Sequence, residues 1–231
     1  MSSDNKIAYL GPAGTFTEMA AKMVPGAAAS QLIPHASVSE ALDAVLSGAC
    51  HRAVAPIENS LEGGVSATSD ALATIPGVQI YGEYLVPVSF DLMVRPGTKL
   101  EDITEVLTHP VAYAQSRKWL AENLKQHSHV PAASTAAAAK ALANGSTAHA
   151  AIAATAAAAI YGLEIIASNI GGHVGENRKG RHDLHLALGH GSARQSDPNC
   201  KCRYRQNNLV CHCTLQNTYT VIRSVNANHS Q

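Results

Sequence analysis

The stretch KIAYLGPAGTFT, residues 6–17, decides the fold class of this chain. Lys6 to Leu10 is a short apolar run, and the glycines and proline from Gly11 to Gly14 then turn the chain. Phe16 to Met23 has the composition and the acidic first turn of a helix. A strand that passes through a tight turn into a helix is the repeating unit of an α/β protein.

The same alternation continues along the chain to about residue 162. Ser37 followed by Glu40 is typical of a capping box, and Gly162 is placed to end a helix. Further helices are predicted at Ser37–Leu46, Tyr113–Leu124, Ser134–Ala143 and Thr155–Tyr161, and strands at His51–Ile57, Val78–Val88, Phe90–Val94 and Ala148–Ala153. Two successive runs of this pattern predict an α/β fold with two lobes.

Composition excludes several classes of protein. The 231 residues carry a formal net charge of +0, whereas a nucleic-acid partner requires a surplus of Lys and Arg. No apolar run reaches the roughly 18 to 20 residues that span a bilayer. The polar N-terminus, Met1 to Lys6, lacks the apolar core of a signal peptide. We therefore expect a cytoplasmic protein with neither a nucleic-acid nor a membrane partner.

Small polar residues follow several of the predicted strands, where open α/β sheets bind ligands. The segment Gly11 to Thr15 precedes a helix, so its amides either bind an anion or only form a turn. Glu58-Asn59-Ser60, Thr108-His109-Pro110 and Ser134-Thr135 are equally compatible with ligand binding and with helix capping.

Motifs for cofactors and metals are missing from the sequence. It contains no Gly-x-Gly-x-x-Gly, no phosphate-loop lysine, no Gly-x-Ser-x-Gly and no His-Glu-x-x-His. The pairs Cys200/Cys202 and Cys211/Cys213 are spaced more tightly than the cysteines of ordinary zinc sites. We expect neither a cofactor nor a metal.

Taken in order, these loops resemble the motifs of the prephenate dehydratase family. The resemblance covers about residues 6–170, and it rests on several ordered motifs rather than on one. The matching stretches are Gly11–Thr17, Pro56–Ser60 with Gly63 or Gly64 and Val65, Thr108–Pro110 with Gln115, Ser134–Ala136, Ala151–Ala153 and Tyr161–Leu163.

The resemblance implies a two-lobe architecture like that of type II periplasmic binding proteins, with the ligand cleft between the lobes. The first lobe would comprise residues 1–84 with a return segment at 163–191. The second lobe would comprise 85–162, and 192–231 would form an atypical, poorly ordered tail.

The resemblance also implies a reaction, in which prephenate loses its ring hydroxyl and ring carboxylate to give phenylpyruvate, water and carbon dioxide during phenylalanine biosynthesis. Aromatisation drives this step, so no cofactor is needed. Because the family's domain usually dimerises, we expect a homodimer or a higher homo-oligomer. The substrate-binding residues implied by the match are Thr15, Glu58, Asn59, Ser60, Thr108, Gln115, Ser134 and Thr135.

One family motif is absent. Members carry Thr-Arg-Phe, whose threonine is the expected donor to the departing hydroxyl, and counting back from Leu188-Gly189 places Asp183 to His185 there. Asp183, His182 and His185 are therefore the candidate acids, and none of the residues that follow resembles the family's regulatory ACT domain. Either the chain from about residue 171 is translated out of frame, or it is a diverged enzyme. A non-catalytic module that binds small anions, and an arogenate dehydratase, are the alternative functions.

Overall fold

A computed structural model describes residues 5–59, 63–124, 126–171, 201–205, 208–212 and 216–224. Ser60 and the three candidate acids, His182, Asp183 and His185, lie outside these described residues. The chain divides into two compact units, Met1–Gly172 with Gln216–Gln231, and His173–Leu215.

A six-stranded sheet forms the first lobe of the larger unit. Its strands are β1 (Lys6–Leu10), β2 (Gln31–His35), β3 (Arg52–Asn59), β4 (Gly63–Gly64), β5 (Val78–Pro87) and β13 (Gln216–Ser224), and its helices are α1 (Phe16–Met23), α2 (Val38–Leu46) and α3 (Ser66–Thr74). The order is β2-β1-β3-β13-β5, with β4 paired to β3. β1 runs parallel to β2 and β3, whereas β13 runs antiparallel to β3 and β5.

A five-stranded sheet forms the second lobe of the same unit. Its strands are β6 (Asp91–Val94), β7 (Glu105–Thr108), β8 (Ser128–Pro131), β9 (Ala150–Ala153) and β10 (Glu164–Ala167), and its helices are α4 (Pro110–Asn123), α5 (Thr135–Ala143) and α6 (Thr155–Tyr161). The order is β10-β6-β9-β7-β8. The predicted α/β fold with two lobes is confirmed. None of the helices in the described part of the chain is long and apolar enough to cross a membrane.

The smaller unit contains an antiparallel pair of strands, β11 (Lys201–Arg205) and β12 (Asn208–His212). The sequence predicted a poorly ordered tail over 192–231, but the structure has three strands in that range, β13 among them. The run Thr218 to Ile222 consists of β-branched residues and a tyrosine, which favour strands. The polar residues around this run obscured it in the sequence.

The lobe boundaries also differ from those predicted. β5 extends to Pro87, beyond the expected limit at residue 84. Within the segment 163–191, which was expected to return to the first lobe, Glu164–Ala167 form β10, which pairs antiparallel with β6 of the second sheet. Among the described residues beyond 171, β13 pairs with β3 and β5 of the first sheet, and its Ile222 is fully buried.

Alanine side chains dominate one of the two core clusters of the second lobe, in keeping with an aromatic content of only 4% in the whole sequence. One cluster joins α5, α6 and β9, and its buried members include Ala138, Ala139, Ala151, Ala153 and Ala157. Because alanine adds only a methyl group, these helices approach the sheet closely, and a larger side chain at these positions would overpack the core.

A buried carboxylate in the second lobe joins the start of β6 to the segment that follows β10. Asp91, at the start of β6, is only 2% exposed. Its Oδ2 accepts a hydrogen bond from Thr155 Oγ1 at 2.6 Å, and its Oδ1 accepts one from the Asn169 backbone N–H at 2.8 Å. Ile170 N–H then donates to the Phe90 carbonyl at 2.8 Å. Asp91 therefore links the start of β6 to Thr155 in α6 and to Asn169, which follows β10.

Replacing Asp91 with alanine is expected to lower the free energy of unfolding by about 2 to 4 kcal/mol, because two hydrogen bonds to a buried carboxylate are lost. Urea denaturation of the variant and the parent chain measures the difference. Asp70→Ala, at an exposed position on α3, is the matched control and should change stability by less than about 0.5 kcal/mol. Equal losses in the two variants would contradict this role for Asp91.

Candidate functional site

A cavity of about 280 Å³ is lined by residues of both lobes. It borders the carboxyl ends of β1 and β3, the start of α1, and the starts of α4 and α5. Five of the predicted binding residues line it: Thr15, Glu58, Asn59, Ser134 and Thr135. The volume suits a ligand smaller than most drug-sized molecules.

The first-lobe wall begins with the segment Gly11 to Thr15, which follows β1. Thr15 is the N-cap of α1, and its Oγ1 accepts a hydrogen bond from the Glu18 N–H at 3.2 Å. Glu18 Oε2 in turn accepts from the Gly14 N–H at 2.6 Å, while Oε1 pairs with Lys22 Nζ at 2.8 Å. The positive end of α1 is therefore partly neutralised by the protein's own carboxylate. The sequence signal for this role of Glu18 was the Thr-x-x-Glu spacing of a capping box.

The second-lobe wall is formed by two helix starts. His109 is the N-cap of α4, where its Nδ1 accepts from the Val111 N–H at 3.3 Å. Ser134 is the N-cap of α5, where its Oγ accepts from the Ala137 N–H at 3.0 Å. Neither helix has an acidic residue in its first turn. Because a helix N-terminus carries a positive partial charge, this wall attracts anions without a cationic side chain.

Charge is scarce among the residues that line the cavity. Glu58 is the only carboxylate, and neither lysine nor arginine is among the described lining residues. Apolar side chains cover the rest of the wall, including Phe16 and Phe90, whose rings meet edge to face with centroids 5.7 Å apart. The cavity therefore combines neutral hydrogen-bond donors with surfaces suited to a ring or another compact apolar group.

Two predicted binding residues do not line the cavity. Thr108 is fully buried, and its Oγ1 donates to the Ile152 carbonyl oxygen at 2.7 Å, which ties β7 to β9. Gln115 lies farther along α4, and its Oε1 is buried without a hydrogen-bond partner among the described residues. The motif gave the position of each residue along the chain but not the direction of its side chain.

A strand that the sequence analysis did not predict borders the β3 end of the cavity. The register of β13 against β3 sets Asn217 opposite Asn59 and Thr218 opposite Glu58. The backbone of this strand therefore lies beside two residues of the cavity wall. Its run of β-forming residues was the available signal.

The buried hydroxyl of Thr108 provides a test of its structural role. Thr108→Val preserves the shape of the side chain but removes the donor to Ile152, so we expect the free energy of unfolding to fall by about 1 to 3 kcal/mol. Thermal or urea unfolding measures the change. The control is Thr104→Val, which removes an exposed hydroxyl that contacts His149 Nδ1 at 3.2 Å and should cost less than about 0.5 kcal/mol. A Thr108 variant as stable as its control would return this hydroxyl to the candidate ligand contacts.

Comparison with known proteins identifies relatives of the fold and of the sequence. Prephenate dehydratase of Mycolicibacterium vanbaalenii is 45% identical over 177 residues, which cover 71% of this chain and 56% of that protein. The Corynebacterium glutamicum enzyme is 41% identical over 169 residues, which cover 71% of this chain and 53% of that protein. The crystal structure of prephenate dehydratase from Arthrobacter aurescens, in complex with L-Phe, has a TM-score of 0.74 and 35% identity, and covers 98% of this chain and 62% of its own.

The matches cover only part of this chain and part of each relative. The chain spans about half the length of the curated relatives it matches. The model of the prephenate dehydratase family matches residues 7–177, so the match ends close to the point where the alternation of strands and helices ends in the sequence. With a family match over most of its length and relatives of more than 40% identity, the chain belongs to the prephenate dehydratase family.

Proposed function

We propose that this chain is a prephenate dehydratase that converts prephenate to phenylpyruvate, water and carbon dioxide, a step in phenylalanine biosynthesis. The observation that supports the proposal is the cavity, which is bordered by two helix N-termini with no acidic residue in the first turn and by apolar side chains. Prephenate has two carboxylates and a compact six-membered ring, so both kinds of surface have a counterpart in the substrate. Thr15, Glu58, Asn59, Ser134 and Thr135 form the proposed binding set, and Ser60 follows Asn59 directly in sequence.

The charge distribution suggests how the substrate is oriented. The carboxylate of the pyruvyl side chain keeps its charge through the reaction and is placed at the starts of α4 and α5. The ring carboxylate leaves as neutral carbon dioxide, and binding its charge tightly would oppose that loss. It is therefore placed toward Glu58 and the apolar first-lobe wall, where the charge is least stabilised.

The chemical step breaks two bonds. The electron pair of the bond from the ring to the carboxylate enters the ring, and the hydroxyl on the opposite ring carbon departs with a proton as water. A positioned acid assists such a departure by about 10² to 10⁴ in rate. Asp183, His182 and His185 are the proposed acids from sequence. We also propose that the enzyme acts in the cytoplasm as a homodimer or a higher homo-oligomer.

Activity is tested by incubating the purified chain with prephenate and following phenylpyruvate by its absorbance in alkali. The proposal predicts turnover that falls by about 10² to 10⁴ in at least one of Asp183→Asn, His182→Ala and His185→Ala. Calorimetry on the same preparation measures the binding of prephenate. Binding without turnover would replace the proposal with the non-catalytic anion-binding module, and turnover of arogenate in place of prephenate would make the chain an arogenate dehydratase.

Ser134→Ala should weaken the binding of prephenate about tenfold, because it removes a hydroxyl from the wall assigned to the lasting carboxylate. Calorimetry gives the dissociation constant. Ser37→Ala is a closely matched control, since Ser37 also caps a helix, accepting from the Glu40 N–H at 3.1 Å, and does not line the cavity. Both variants should lose about 1 kcal/mol of stability, and only the first should lose affinity. Equal affinities would place the carboxylate elsewhere.

A further inference from the structure

One hydrogen bond joins the two lobes through residues far apart in the chain. Tyr161 is the last residue of α6 in the second lobe, and its hydroxyl donates to the Ala13 carbonyl of the first lobe at 2.7 Å. The two residues are 148 positions apart in sequence. Ala13 belongs to the segment Gly11 to Thr15, which we name the β1–α1 loop.

The β1–α1 loop lies directly against α6. Gly14 has a φ of 85°, and a Cβ atom added to it would stand 3.2 Å from both Cα and Cβ of Ala157 and 3.5 Å from the ring of Tyr161. Ala157 is fully buried. The contact therefore depends on a glycine on one side and an alanine on the other, and it leaves no room for a larger residue at position 14.

The same loop lines the cavity with Gly11 and Thr15. The β1–α1 loop therefore contacts α6 through Ala13 and Gly14 and borders the cavity through Gly11 and Thr15. On the other side of the cavity, α5 carries Ser134, and an alanine cluster packs α5 against α6. The position of α6 consequently fixes both the first-lobe wall, through the loop, and the second-lobe wall, through α5.

The electrostatic surroundings of Tyr161 keep its hydroxyl in the protonated form that donates the hydrogen bond. Burial raises the pKa of the Tyr161 hydroxyl above its usual value of 10.0, and the nearby charge of Glu18 raises it further. The hydroxyl therefore keeps its proton at neutral pH. Tyr161 itself is not among the lining residues, so its action on a ligand is indirect.

We propose that Tyr161 is a positioning residue that sets the separation of the two cavity walls by holding the β1–α1 loop against α6. The consequence for substrate affinity rests on the proposed function, whereas the contact between the lobes does not. Losing the hydroxyl frees the loop and widens the range of wall separations, so the ligand must restore the closed arrangement when it binds.

The test compares Tyr161→Phe with the unmodified chain in two measurements. Hydrogen exchange of the amides in residues 11–17 should become several-fold faster in the variant. The dissociation constant for prephenate, measured by calorimetry, should rise about fivefold, and KM should rise similarly while kcat changes less than twofold. Unchanged exchange at the loop, or faster exchange with unchanged affinity, would overturn the proposal.

Tyr113→Phe is the matched control for the lost hydroxyl. Tyr113 Oη contacts His127 Nε2 at 3.1 Å within the second lobe, so its loss should leave loop exchange and affinity as they are. Equal effects in the two tyrosine variants would mean general loosening and would overturn the proposal.

A second pair of variants tests the packing without altering Tyr161. Gly14→Ala places a methyl group against Ala157 and should weaken affinity and speed loop exchange. Gly26→Ala is its control, because Gly26 has the same φ of 85° but nothing within 4 Å of an added Cβ. If the unmodified chain binds no prephenate, the proposed function fails, and the exchange measurements alone then decide whether Tyr161 holds the loop.

Discussion

The packing of alanine against backbone in the second lobe is the constraint on which the cavity depends. The cluster that includes Ala138, Ala139 and Ala157 lets α5 and α6 approach each other closely, and Gly14 extends this packing into the first lobe. Each contact is small, but their sum places the start of α5 and the β1–α1 loop on opposite sides of one space. An enlarged side chain at any of these positions would move a wall, and this accounts for the alanine-rich composition of this region better than low complexity does.

The asymmetry between the walls is electrostatic as well as geometric. α1 offers its N-terminus to the cavity, yet Glu18 already accepts a hydrogen bond from Gly14. The helices α4 and α5 carry no such acid, so the unneutralised positive ends belong to the second lobe. In the proposed function, such a site would bind the lasting carboxylate of prephenate through fixed dipoles that need no reorganisation, and it would avoid the strong attraction that an arginine would exert on the carboxylate that leaves.

Sequence patterns correctly predicted features that depend on local interactions, such as the start and end of helices. Ser37 and Ser134 cap the helices that they were expected to begin, and Gly162 ends α6 in the left-handed conformation. Sequence patterns predicted less well the features that depend on contacts between distant segments of the chain. The segment at 164–167 reads as a generic short strand, and only its hydrogen bonds to β6 assign it to the second sheet. Thr108 likewise occupies a motif position, but a carbonyl 44 residues away determines where its hydroxyl points.

The first sheet needs a strand from the part of the chain beyond residue 171. β5 is the last strand of this sheet and pairs with β13 alone, so without β13 the inner edge of β3 and both edges of β5 would expose unpaired amides and carbonyls. β13 fills that gap, with Thr220 opposite Ala55 on one side and Glu83 on the other. Any sequence that closes this lobe must supply a run of β-forming residues there, whether it is inherited from the family or arises from a changed reading frame. The closure of the lobe and the supply of a catalytic acid are therefore separate requirements, and the residues from Thr218 to Ile222 meet the first of them.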